Sequence, residues 1–75
     1  MEIQKFIQKF KEQLEDEATP IFPETNYVHS EFWDSLTAMV IKVMIDDEYQ
    51  IDIPVEKLNT FLTIQDLFDY IKSIK

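Results

Sequence analysis

An aspartate, a serine and a leucine meet at positions 34 to 36, where a long loop gives way to a strongly apolar run. At a helix start this triplet has an ordinary use: Asp34 caps the free amides, Ser35 is the first helical residue and Leu36 opens the core. It also has a chemical use. The first helical position faces solvent more often than not, and free amides and the positive end of the helix dipole favour a phosphate attached there. A neighbouring carboxylate, here Asp34, can help place the metal ion that a phosphoryl-type transfer uses. The chain supplies no base for an attack by Ser35, and none is required if a separate enzyme attaches the group.

Other chemistry is poorly provided for. There is no cysteine, which removes disulfides, thiolate metal sites and thiol nucleophiles. His29 is the sole histidine and sits in a loop without a second ligand of its kind, so it reads as a surface histidine rather than a zinc ligand. Asp46, Asp47, Glu48 and Asp52 lack the alternating oxygens and the glycine of a calcium loop, and read as a solvated helix end. Asp66 and Asp69 have no acid–base partner. No catalytic constellation emerges, so the chain is expected to be a substrate of other enzymes rather than an enzyme.

The elements that position Ser35 follow from hydrophobic spacing. Ile3, Phe6, Ile7, Phe10 and Leu14 recur at threes and fours and predict a first helix, with Lys5, Lys9, Glu12 and Glu15 off its stripe. The pattern fades at Glu15-Asp16-Glu17, whose acids oppose a helix C-terminus, and Pro20 argues against helix beyond Thr19. Residues 18 to 33 read as a long loop, with Ile21, Phe22, Tyr27 and Phe32 available to lie on the core. A second, central helix begins at Asp34 or Ser35. Leu36, Met39, Val40, Val43 and Met44 are its expected buried stripe, widened by Ile41 and Ile45, and it ends near Asp46–Tyr49. Tyr49 to Ile53 alternates like a strand, but Pro54 and the lack of a partner strand favour an extended linker. A short helical piece follows, with Val55, Leu58, Phe61 and Leu62 as apolar points. Residues 63 to 72 form the last helix, capped by Thr63 with Asp66 three residues on, its inner stripe Ile64, Leu67, Phe68 and Ile71. The fold class is all-α: a four-helix bundle of three longer helices and one short one.

The whole-chain balance agrees. Seventy-five residues predict one domain, and a chain so short buries only about 60% of its unfolded surface, so its core must be densely apolar. Fifteen acids against seven lysines give a net charge of -8, spread through the chain. That argues against nucleic acid and favours partners with basic docking surfaces. No apolar run approaches a membrane span, and the start MEIQKFIQKFKEQ lacks the apolar centre of a signal peptide, so a cytoplasmic monomer without membrane contact is expected. There is also no glycine: tight turns must use Asn, Asp or type I geometry, and a glycine-rich phosphate cradle is excluded.

From Tyr27 to Ile71 the chain resembles the acyl carrier protein family without a gap. The likeness rests on Asp34-Ser35-Leu36 and runs through the apolar helix into Asp46-Asp47-Glu48-Tyr49 and Ile53-Pro54. It closes with Thr63-Ile64-Gln65-Asp66-Leu67 and Asp69-Tyr70-Ile71. The first helix and loop fit by length and pattern. The resemblance implies an acyl-carrier-type bundle in which a phosphopantetheinyl transferase, using coenzyme A and magnesium, attaches 4'-phosphopantetheine to Ser35. The thiol of that arm would hold the acyl group as a thioester. Asp34 would match the acid beside the modified serine, and Leu36 an apolar residue of the helix start and partner contact. Synthases and acyl-transferring enzymes would dock along the helix from Ser35 to Glu48, and a cavity lined by Met39, Val43, Met44 and the phenylalanines would shelter the cargo.

The chain also departs from the family. Glu31 and Phe32 stand where a Leu-Gly pair is usual, and Trp33 precedes Asp34; Phe32 and Trp33 either form part of a specialised docking surface or cover the top of the bundle. Thr37 and Val40 replace acids that face basic patches on fatty-acid enzymes, which points to a dedicated fatty-acid or polyketide-like pathway. Two alternatives stand beside this one: a peptidyl carrier, which shares fold and serine, and an unmodified interaction bundle of the same fold.

Overall fold

The computed structural model describes residues 2–14 and 19–74. Helices α1 (Ile3–Glu12), α2 (Ser35–Tyr49), α3 (Val55–Leu58) and α4 (Ile64–Ile74) follow one another, with a single 3-10 turn at Tyr27–His29 and no strand among the described residues. The architecture is therefore the expected all-α bundle of three longer helices and one short one. Residues 51–54 form neither helix nor strand and link α2 to α3, as the proline implies. The acidic stretch Glu15-Asp16-Glu17 lies outside the described residues.

The stripes of α1 and α4 face each other. Phe6, Ile7 and Phe10 on one side, with Leu14 just beyond the end of α1, and Ile64, Leu67, Phe68 and Ile71 on the other are buried. The Phe6 ring packs against Phe68 at 5.6 Å between centroids and against Tyr49 of α2 at 5.9 Å, so three helices share one aromatic contact. Ile41, Ile45, Ile53 and Leu58 complete the centre. Such burial is the dominant favourable term for a chain of this size.

The central helix is turned differently from its expected stripe. Its buried residues are Ala38, Ile41, Met44 and Ile45, whereas Leu36, Met39 and Val43 are 71%, 52% and 54% exposed, and Val40 is half-buried. The reason is that α2 is apolar nearly all round, so periodicity alone does not select a face; packing against α1 and α3 does. Phe22 and Leu62 are likewise exposed rather than laid on the core.

The long loop is held by the start of α4. Three of that helix's first-turn amides find partners outside it: Ile64 N–H donates to the Thr25 carbonyl (3.1 Å), Gln65 N–H to the Pro23 carbonyl (2.8 Å), and Asp66 N–H to Thr63 Oγ1 (3.1 Å). These are donors every helix N-terminus leaves over, so satisfying them pins the loop at once. Tyr27 adds a second anchor. Its ring is fully buried, and its hydroxyl donates to the Leu58 carbonyl at 2.6 Å, joining the loop to α3. At the end of α2 the chain turns through Gln50 at φ 54°, ψ 41°, its amide bonded to Asp46. A left-handed residue here would ordinarily be glycine or asparagine; with no glycine available, glutamine takes the strain.

Candidate functional site

Asp34 ends the loop in extended conformation (φ -147°, ψ -177°) and α2 begins with Ser35. The Thr37 N–H donates to Asp34 Oδ1 at 2.8 Å, and the Ala38 N–H to the Asp34 carbonyl at 2.9 Å. Aspartate thus caps the helix as its place in the sequence implies. The Thr37 amide, and after it the Thr37 hydroxyl, hold the Asp34 carboxyl below its ordinary range, so it is ionised at neutral pH. Ser35 is exposed at the first helical position, beside that carboxylate, and Leu36 next to it is the most exposed of the chain's large hydrophobic residues identified at the surface. The fit to a covalently attached phosphate is good: the hydroxyl is accessible, the helix end is electropositive, and the neighbouring carboxylate is exposed.

The residues in front of the serine are organised as a packed aromatic group. Trp33 stacks on Phe10 (6.3 Å, 12°) and meets Tyr27 edge-on at 4.7 Å; Phe32 meets Phe10 edge-on at 6.2 Å. Trp33 Nε1 donates to Asn59 Oδ1 at 2.8 Å, just past α3. Both rings are half-buried and pack against the core. Asn59 carries no sequence signal for this bond; only the fold brings the two residues together.

Of the expected docking residues, Leu36 stands out from the helix, Thr37 and Val40 are half-buried toward α1, and Phe32 and Trp33 turn inward. Met39 and Val43 were expected inside and are found outside. With Leu36 they form an apolar ridge along α2, spaced three and four residues apart, which places them on one side of the helix. From Ser35 to Ile45 this helix has no acid at all, and its one charge, Lys42, is paired with Asp52. Asp46, Asp47 and Glu48 follow as an exposed acidic end. Among the described residues no group of histidine and carboxylate side chains is arranged to hold a metal ion, His29 is exposed in the 3-10 turn, and no helix is long and apolar enough to cross a membrane.

The comparisons with known proteins agree with this geometry. Residues 4–71 match the family described as the phosphopantetheine attachment site. An acyl carrier protein of Syntrophus aciditrophicus (strain SB) is 30% identical over 69 residues, covering 92% of this chain and 86% of the relative. No solved structure matches the chain. A bundle opened by a capped, exposed serine and matched over nearly its whole length identifies the chain as a member of the phosphopantetheine attachment site family, a non-catalytic domain of the acyl-carrier type whose cofactor is phosphopantetheine.

Proposed function

We propose that Ser35 bears the 4'-phosphopantetheine arm and that the protein shuttles thioester-linked acyl intermediates between enzymes of a dedicated fatty-acid or polyketide-like pathway. The observation that carries this is the pairing of an exposed serine at the first position of a fifteen-residue helix with an ionised aspartate at its cap. When bound, the arm supplies a terminal thiol, which this cysteine-free chain does not have. The chain's own residues do the rest. Asp34 fixes the helix start that presents Ser35 and helps place the magnesium ion while a phosphopantetheinyl transferase performs the attachment. Leu36, Thr37 and Val40 lie on the partner-facing side of α2, with Phe32 and Trp33 holding that helix start in place. The net charge of -8 draws in partners with basic surfaces, but the acid-free stretch from Ser35 to Ile45 makes the centre of contact apolar. That combination supports enzymes of a dedicated pathway over the general fatty-acid machinery.

Intact-mass measurement after incubation with a broad-specificity phosphopantetheinyl transferase, coenzyme A and magnesium tests the assignment. The parent is expected to gain one phosphopantetheine and Ser35→Ala none, with both folded by circular dichroism. A folded parent that gains nothing, also with transferases of its own source, overturns it.

A further inference from the structure

We infer that the ion pair between Lys42 and Asp52 guards the thioester against attack by the chain's own amine; this rests on Ser35 bearing the arm. A thioester acylates any neutral amine that it meets. When a lysine nitrogen attacks the thioester carbonyl, a C–N bond forms, the C–S bond breaks, and the proton lost by the amine passes to the released thiolate. The cargo is then an amide, which no exchange with a partner's thiol recovers. A lysine within reach of the arm is therefore a route by which cargo is lost.

Lys42 is such a lysine. It is the sole basic residue of α2 and follows Ser35 by seven positions. That spacing is two turns of helix on the same side, about 10 Å along the axis. Ala38 lies between them on that side and lines the notch that contains Ser35, together with Val55 of α3. From phosphate to sulfur the arm has about a dozen bonds, as many as four extended residues, which span roughly 14 Å. The thioester at its end thus reaches the level of Lys42.

Two things disarm it. The ammonium donates to Asp52 in the linker past α2, so the amine is tied down, and with its side chain only 27% exposed little of it is left to swing free. The hydrogen bond to Asp52, and after it the charges of Asp52 and of Asp46 one turn along the helix, also raise the Lys42 ammonium above its ordinary value. Less of the nitrogen is then present as the neutral amine that attacks. The lysines of the two helices packed against α2 are engaged as well. Lys9 of α1 pairs with Glu48 at 2.8 Å. Lys57 of α3, two residues before Asn59 of the notch, holds its ammonium 5.6 Å from the Phe61 ring and 5.2 Å from the Tyr70 ring.

Asp52 is 75% exposed, so its carboxylate can be neutralised without disturbing the core. The transferase and octanoyl-coenzyme A load the parent, Asp52→Asn and Asp52→Asn/Lys42→Arg, with loading verified by mass and folding by circular dichroism. After incubation at mildly alkaline pH, hydroxylamine strips thioesters and spares amides, and intact mass reports the octanoyl that remains. Asp52→Asn is expected to retain several-fold more than the parent, at a rate independent of protein concentration and with the adduct on Lys42 by peptide mass. The double variant is expected to retain no more than the parent. High sodium chloride, which screens an exposed pair, is expected to raise the retained octanoyl of the unaltered parent, a readout that needs no variant to fold. No excess octanoyl in folded Asp52→Asn, equal retention by the parent at low and high salt, an adduct on another lysine, or a rate that rises with protein concentration overturns this inference and leaves the attachment site standing. No mass gain on loading overturns both.

Discussion

Replacing Tyr27 by phenylalanine removes one oxygen and leaves the ring. In the parent that oxygen donates to the Leu58 carbonyl at 2.6 Å within the core, with the Tyr27 ring fully buried. Phenylalanine fills the same space but leaves the carbonyl without its partner, and an orphaned buried polar group costs about 1–3 kcal/mol, so about 2 kcal/mol is expected. With a urea m-value of roughly 1 kcal/mol/M for so small a domain, the midpoint falls by about 2 M; the melting temperature falls by about 4–8 °C for each kcal/mol. The pH dependence gives a second reading of the same bond. Burial, and then the negative charge of Asp66, raise the Tyr27 hydroxyl well above its ordinary value. A raised folded value means the stabilisation is whole below the unfolded pKa of about 10 and is lost as pH climbs from there toward the folded one. Tyr49, also raised by burial, is common to parent and variant and cancels in their difference. Urea titrations of the two proteins from neutral to alkaline pH should therefore show a gap that narrows above about pH 10. An unchanged midpoint at neutral pH, or a gap that stays constant through the alkaline limb, refutes the reasoning.

Gln50→Gly should raise stability by about 0.5–1 kcal/mol in thermal melts, because glycine relieves the left-handed backbone at the end of α2 and returns only part of that gain as unfolded-state entropy. Leu36→Ala, at a side chain 71% exposed, should leave stability within about 0.5 kcal/mol. The same change should lower kcat/KM of the acyl-transferring partner about tenfold, as expected when one leucine's burial is lost from a contact; equal rates for parent and variant would remove Leu36 from the docking surface. Asp34→Ala should lower the melting temperature at neutral pH but not in acid. The Asp34 pKa is depressed on folding, so its contribution is present above the unfolded carboxylate range and lost as pH falls through the folded value. A melting difference that persists in strong acid would show that the cap acts without its charge.

Helices α1 and α4 were legible because each carries one narrow apolar stripe, and a single stripe permits a single orientation. Thr63 and Asp34 were legible as caps for a similar reason: their donors lie within three residues, so local sequence contains the whole interaction. The second helix was legible in extent and not in rotation. Leu36-Met39-Val43 and Ala38-Ile41-Ile45 are both acceptable stripes, and the choice between them is made by α1 and α3, which no local pattern describes. What holds the loop was equally hidden. The bonds from Ile64 and Gln65 to Thr25 and Pro23, and from Trp33 to Asn59, join residues 26 to 42 positions apart, between groups that are common and individually unremarked. Gln50 in the left-handed region runs against residue preference, and against the expectation that a chain without glycine makes its tight turns with Asn, Asp or type I geometry. The place of Ser35 at the start of α2 could be read from its neighbours alone, whereas the ridge beside it needed the fold.

The outward ridge of α2 separates two kinds of inheritance in one stretch of chain. Ala38 sits beside Met39, and Met44 beside Val43, yet one member of each pair holds the bundle together and the other faces away from it. Substitutions at positions 36, 39 and 43 therefore draw little on the narrow stability margin of a small domain. A lineage built on this helix can exchange these outward side chains residue by residue while its scaffold stays put, and duplicated copies can drift apart on this face without first having to become more stable.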